Sequence, residues 1–420
     1  MERQDIYSIL FTQQKDFEDE KPNVKRELTK KIISIKSLEM PIIITGVRRC
    51  GKSFLLKLIQ EELNLEEKEY LYINFNDERF VNFAIEDFQK IIDFMNEQGY
   101  KERCVLFIDE IQEVVGWEKW IDRIRTKYPI FITGSNSKLL SKEISTTLTG
   151  RSINLGLTPF NFREFLEARK MDIKNWKIDL KKQSTLRNEF KLYLQIGGMP
   201  KRVISGQDII IKELYENILY RDIIERFGKL SKQIKEISVS LLSNPSSLIS
   251  LRAVSKMTNI KNISTIKSIL DSFENSFLFF FITKFGYSIK SQIQNPRKVY
   301  CIDNGFLVNL GFRMSEDKGK LLENLVAIEL KRRGEEVFYY SGVGECDFIL
   351  RKGNKIISTI QVCHELNEEN KKREINGQVE VLDKFKLKEG LILTRDQEDE
   401  FKIGNKKIKV LPVWKWLLEI

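Results

Sequence analysis

Eight residues constrain this chain more than any others. Gly46-Val47-Arg48-Arg49-Cys50-Gly51-Lys52-Ser53 satisfies the spacing G-x-x-x-x-G-K-[ST] at every fixed position. The run before it, Pro41-Ile42-Ile43-Ile44-Thr45, is short, apolar and β-branched, and reads as a buried strand. The run after it, Phe54 to Ile59, reads as a helix. A strand entering a glycine-bounded loop that opens a helix turns consecutive backbone N–H groups toward one point, at the positive end of that helix. Phosphate is what such a point attracts. In this pattern Lys52 reaches the β- and γ-phosphates of ATP and the Ser53 hydroxyl ligates Mg²⁺. Val47, Cys50 and Phe54 belong to the same cradle, while Arg48 and Arg49 either point at phosphate or pack outward.

A second element completes the first. Cys104-Val105-Leu106-Phe107-Ile108 is another apolar strand, and it runs straight into Asp109-Glu110. An acid at the carboxyl end of a buried strand lies on the edge where open α/β sheets bind ligands. Asp109 would hold Mg²⁺ through its water shell, and Glu110 would polarise an attacking water, a hydrolase arrangement rather than a phosphotransferase one. Further strands are expected at Tyr70–Phe75, Ile130–Thr133 and Ile153–Leu155, alternating with helical stretches. That alternation predicts a mostly parallel sheet covered by helices. Residues 1–40 read as a polar helical lead-in.

Composition removes several alternatives. With 420 residues the chain exceeds one hydrophobic core, so two or more domains are expected. One histidine, His364, leaves a Cys/His zinc site or a His-based triad with almost nothing to work with. Five scattered cysteines without a C-x-x-C predict a reducing, cytoplasmic setting. The longest apolar run, Phe277 to Ile282, is too short to cross a bilayer, so no membrane partner is expected. A net charge of +10 permits contact with nucleic acid without demanding it.

Together, the Gly-x-Arg-Arg-x-Gly-Lys-Ser loop, Asp109-Glu110-Ile111-Gln112 with Trp117 and Trp120, and Ile132-Thr133-Gly134-Ser135-Asn136 resemble the prokaryotic AAA+ ATPases. Leu148-Thr149-Gly150-Arg151, Pro159-Phe160-x-Phe162-Arg163-Glu164-Phe165 and Gly197-Gly198-Met199-Pro200 strengthen the resemblance. More narrowly, the chain is similar to the branch whose C-terminal domain of unknown function resembles restriction endonucleases. The resemblance implies an ASCE-type sheet, with the fourth strand between those carrying the P-loop and the Walker B acids. It implies that Ser135 and Asn136 meet the γ-phosphate as sensor 1. It also implies a role for Arg151, either as an arginine finger given to a neighbouring subunit in a homo-oligomer or as a sensor of its own nucleotide. A guanidinium there would stabilise charge on the transferring phosphoryl group.

Two later segments extend the reading. Leu251–Met257 and Ser264–Leu270, separated by a polar turn and followed by Phe277–Thr283, are similar to a winged helix. Lys256, Lys261 and Lys267 supply positive charge, though less than DNA readers usually carry on the second helix. Glu323, on an amphipathic helix, and Asp347, leading into a strand, match the PD-(D/E)-x-K nuclease pattern. Its Glu-x-Lys triplet is replaced here by Gln361-Val362-Cys363. An amide is a poorer Mg²⁺ ligand than a carboxylate, and a thiol cannot supply the lysine's charge, so a degenerate site is expected.

The expected architecture is therefore an AAA+ core at 1–155, a helical lid at 156–228, a winged-helix-like domain at 229–298 and a nuclease-like α/β domain at 299–420. The expected activity is Mg²⁺-dependent ATP hydrolysis coupled to a conformational change that acts on duplex or branched DNA. Two alternatives stand beside it: a metal-dependent DNA endonuclease regulated by ATP, and a nucleotide-switched scaffold for protein partners.

Overall fold

The computed structural model describes residues 1–35, 40–135, 148, 150–286, 288, 290, 292, 295–312, 317–342 and 344–419. The chain divides into two compact units, Met1–Thr158 and Pro159–Ile420.

The apolar runs of the first unit become five strands: β1 (Ile42–Thr45), β2 (Tyr70–Asn74), β3 (Val105–Asp109), β4 (Ile130–Gly134) and β5 (Ile153–Gly156). They form one sheet in the order β2-β3-β4-β1-β5, and every pairing is parallel. β4 thus lies between the strand that enters the glycine loop and the strand that ends in the acids, as the resemblance implied. Residues on both faces of β1, β3 and β4 are buried, which is why these strands read as continuous rather than alternating apolar runs. Around the sheet pack α1 (Arg3–Asp19), α2 (Glu27–Ser34), α3 (Lys52–Glu62), α4 (Phe88–Glu97) and α5 (Trp117–Ile124).

The polar lead-in has a definite task. β2 is an edge strand, whose unpaired backbone groups would otherwise face open chain. Gln13 and Gln14 of α1 are buried against it. The Gln13 amide accepts from Asn74 N and donates to Asn74 O, both at 3.0 Å, and Gln14 Oε1 accepts from Tyr72 N at 3.1 Å. Phe17, one turn on, stacks on Tyr72 with ring centroids 4.2 Å apart. The helix closes the sheet edge with amides and then seals it with a ring.

In the second unit, helices Phe162–Ala168 and Leu180–Ile196 precede the break at Gly197-Gly198, and a further helix starts at Pro200. Gly197 sits at φ +74°, and a Cβ on Gly198 would lie 2.1 Å from the Phe160 carbonyl, so neither position admits a side chain easily. Helix Ser231–Ser243, strand β6 (Leu248–Ile249), helices Leu251–Thr258 and Ile263–Asn275, and strands β7 (Phe279–Ile282) and β8 (Arg297–Cys301) then follow. The three strands form a small antiparallel sheet in the order β6-β8-β7.

Beyond helix Lys318–Arg333 comes an antiparallel meander of β9 (Glu336–Ser341), β10 (Glu345–Lys352) and β11 (Lys355–Val362). Helix Lys371–Lys384 leads to β12 (Glu389–Thr394), which lies parallel to β11. β13 (Asp399–Ile403) and β14 (Lys406–Pro412) complete a six-stranded sheet. The expected boundary between residues 298 and 299 falls inside β8, which pairs with both β6 and β7.

Candidate active site

The loop after β1 is shaped by its glycines. A Cβ on Gly46 would lie 2.2 Å from the Leu157 carbonyl oxygen, and Gly51 takes φ +97° to open α3. No other residue fits the first position, and others fit the second only under strain. Lys52, 5 % exposed, folds back over the loop. Its ammonium lies 3.2 Å from Gly46 O, 3.5 Å from Val47 O and 3.4 Å from Glu110 Oε1. These carbonyls and this one carboxylate are modest partners for a buried cation.

Because all five strands run the same way, their carboxyl ends bring several side chains to one edge. Asp109, 1 % exposed, accepts on Oδ2 from the Ser53 hydroxyl at 2.5 Å and from the Tyr72 hydroxyl at 3.0 Å. The Thr133 hydroxyl donates to Oδ1, and Thr133 Oγ1 accepts from Glu110 N at 3.2 Å. Burial, followed by the neighbouring Glu110 charge, raises the Asp109 carboxyl above the usual range. Glu20, half-buried just past α1, is also raised, by burial first and then by the Asp109 charge.

Glu110 sits in the left-handed region at φ +51°. Its Oε2 accepts from the Ser135 N–H at 3.1 Å and from the Gln112 amide at 2.5 Å. Burial works against its charge, but Lys52, Gln112 and Ser135 together outweigh that, and its carboxyl is held below the ordinary value.

Of the residues named from sequence, Gly46, Val47, Cys50, Gly51, Lys52, Ser53, Asp109, Glu110 and Ser135 belong to this edge. Val47 and Cys50 are fully buried, whereas Arg49 is exposed, at φ +60°. Arg48 is half-buried and Phe54 is 46 % exposed. Asn136 lies outside the described residues. Arg151 is 53 % exposed just before β5, at the amino edge of the parallel sheet, and pairs with Asp122 at 3.2 Å. That edge is opposite the loop, so the alternative in which Arg151 senses its own nucleotide does not fit.

Tyr72 and Thr133 were not singled out as site residues. Parallel register brings them there: Tyr72 pairs with Phe107, and Thr133 follows Ile132, the partner of Ile108. The hydroxyl, carboxylates, ammonium and glycine cradle form the donor set that a triphosphate with Mg²⁺ requires, so the residues present fit that pair.

The second unit holds another acid–lysine centre. Lys298 on β8 donates to Glu323 Oε1 at 2.9 Å and to Asp347 Oδ1 at 2.8 Å. The Tyr300 hydroxyl donates to Glu323 Oε1 at 2.8 Å. Gln361 accepts from Asp347 N at 3.1 Å and donates to Glu374 Oε2 at 2.9 Å, and Val362 N donates to Asp347 Oδ2 at 2.9 Å. Glu323 is pushed up to about 7 by burial and by Asp347, against the pull of Lys298. The Cys363 thiol is pushed up to about 12, mainly by burial. The Lys298 ammonium thus occupies the space between the two carboxylates. Lys298, Tyr300 and Glu374 were not anticipated from sequence.

A parallel sheet in this order, with a P-loop after one strand and two acids after another, defines the nucleotide-binding core of an AAA+ P-loop ATPase. The profile of the AAA domain matches residues 39–166, and that of a domain of unknown function matches residues 187–317. Over 419 residues the chain is 35 % identical to the uncharacterized protein MJ1544 of Methanocaldococcus jannaschii, covering 94 % of this chain and 92 % of that one. An uncharacterized protein of Haemophilus influenzae is 30 % identical over 408 residues, covering 92 % of this chain and 96 % of its own length. The chain belongs to the family of MJ1544. Among solved structures, the Aeropyrum pernix ORC1 protein in complex with DNA is 11 % identical, with a TM-score of 0.31 over 74 % of this chain and 95 % of that chain.

Proposed function

We propose that this protein binds ATP with Mg²⁺ at the loop 46–53 and hydrolyses it, and that turnover drives a conformational change acting on duplex or branched DNA. The observation that carries the reading is the convergence of Lys52, Ser53, Asp109 and Glu110 within hydrogen-bonding or ion-pair reach at one sheet edge. A bound Mg²⁺ would supply charge neutralisation on the phosphates. Ser53 and Asp109 would hold it, exchanging their present mutual hydrogen bond for that role. Lys52 would leave the loop carbonyls for phosphate oxygen. Glu110, kept ionised by its three donors, is suited to accept a proton from water. Ser135, with Asn136, would act as the sensor that reports the γ-phosphate, and Arg151 as a finger reaching a second copy.

The DNA part of the proposal draws on the second unit. Its helix, strand, helix, helix, strand, strand order supports a winged-helix reading of residues 229–301. Arg252, Lys256, Lys261 and Lys267 are exposed on or beside the helix pair, where they can displace counterions from phosphates. The antiparallel meander followed by a helix and a parallel strand supports a nuclease-like fold for the C-terminal domain. Its acid centre, closed by Lys298, favours a binding module over an endonuclease.

The test is ATP turnover by the full chain with Mg²⁺ and plain, forked or four-way DNA. DNA-stimulated turnover without strand cleavage is expected, and Lys52→Ala should abolish nucleotide binding. Turnover indifferent to DNA would favour the scaffold reading instead. Cleavage abolished by Asp347→Ala would favour the endonuclease.

A further inference from the structure

P-loop amides can face a ligand only if the carbonyls between them face elsewhere, and a carbonyl turned into protein must find a donor. The Cys50 carbonyl, at the loop's apex, finds one outside the loop. Arg26, the residue before α2, is 5 % exposed and donates from Nη1 to Cys50 O at 2.8 Å. Its other arm, Nη2, donates to Thr158 O at 2.6 Å. Thr158 is the last residue of the first unit. One rigid guanidinium therefore spans the apex of the loop and the point where the chain leaves the ATPase core. The base of the loop is fixed to the same exit segment independently. Leu157 N donates to Thr45 O at 2.7 Å, and the Leu157 carbonyl fills the space that a side chain on Gly46 would need.

We propose that Arg26 is a positioning residue of the ATPase site: it holds the Cys50 carbonyl outward so that the loop amides stay turned toward the nucleotide, and it ties that carbonyl to the exit segment at Thr158. The inference rests on the reading of loop 46–53 as the ATP site. Its chemistry requires arginine. A planar fork with several donors serves two carbonyls at once, whereas a lysine ammonium is a compact point charge on a flexible stem. Any shift of the Cys50 peptide as the loop closes on or releases phosphate is felt at Thr158 through the same group.

The experiment compares the parent, Arg26→Lys and Arg26→Met as full-length proteins. It measures ATP affinity by calorimetry, kcat and KM for turnover, and thermal unfolding without nucleotide. A hydrogen bond from a charged donor to a buried carbonyl is worth enough to predict an affinity loss on the order of 10- to 100-fold for Arg26→Met. Arg26→Lys should recover part of that loss. KM should rise more than kcat falls, because Lys52 and Glu110 are untouched. Should Arg26→Met bind and turn over ATP like the parent, the proposal fails. It fails also if both variants lose affinity only in proportion to lost folded protein, which the unfolding curves report, since the role would then be general stability. A parent that itself takes up no ATP overturns the reading of the loop, and with it any positioning role for Arg26; the parent's own titration thus separates that failure from the other two.

Discussion

The two units each gather a lysine and two acids, and they use them in opposite ways. In the first, Lys52 rests at 3.2 to 3.5 Å from two loop carbonyls and one carboxylate, while its acids are held mostly by hydroxyls and amides. In the second, Lys298 lies 2.8 to 2.9 Å from both carboxylates, with a tyrosine hydroxyl added on Glu323. That centre has already satisfied itself. The lesson is that composition does not distinguish the two centres; the distance and type of the lysine's partners do.

The sharpest way to break the comparison is at Glu110. A positioned general base typically contributes 10²- to 10⁴-fold, so Glu110→Gln should lower turnover by about that factor while ATP binding persists. Steady-state turnover beside calorimetry will show it, and normal turnover would remove Glu110 from the water-activating role.

Next in size is Lys298→Met. Removing one partner of a buried ion pair leaves uncompensated charge, at a cost of about 3 to 5 kcal/mol. Urea unfolding should show that loss, and Lys298→Met combined with Glu323→Gln should regain part of it. A neutral outcome would mean that the second centre is as loosely held as the first.

A third measurement sharpens the contrast through pH. Asp303 accepts from Gly198 N at 2.5 Å and Gly305 N at 2.8 Å, and burial pushes it up to about 6. A carboxyl raised in the folded state contributes stability that is complete below its unfolded value near 3.8 and is lost as pH rises through about 6. Between pH 4 and 7 the parent should therefore lose up to about 3 kcal/mol relative to Asp303→Asn. Parallel curves for the two proteins would exclude a raised Asp303.

The smallest effect belongs to Arg151→Ala. Its exposed pair with Asp122 is worth at most about 1 kcal/mol, so stability should barely change. If Arg151 completes the cradle of a second copy, turnover will fall without loss of ATP affinity and the parent's rate will rise with protein concentration. An unchanged rate confines the site to one chain.

What was legible in the sequence is what is local. β1, the glycine loop and α3 are contiguous, and an apolar run ending in Asp109 announces a buried strand whose last residue faces the ligand edge. Tyr72, Thr133 and Arg26 reach the same edge only through parallel register and helix docking, which no spacing along the chain encodes. Gln13 and Gln14 read as polar surface because the strand edge they close is about sixty residues away. Lys298 was hidden for a different reason. It sits on a strand shared by two apparent domains, so a boundary drawn through that strand separated it from the acids it neutralises.

Glu110 occupies a backbone conformation that asparagine or glycine adopts more comfortably. Glu110→Asn should relieve that backbone while withdrawing the carboxylate that pairs with the buried Lys52 ammonium, and the protein should be far less active. A long carboxylate at a bend that disfavours it sets backbone comfort against turnover at a single position.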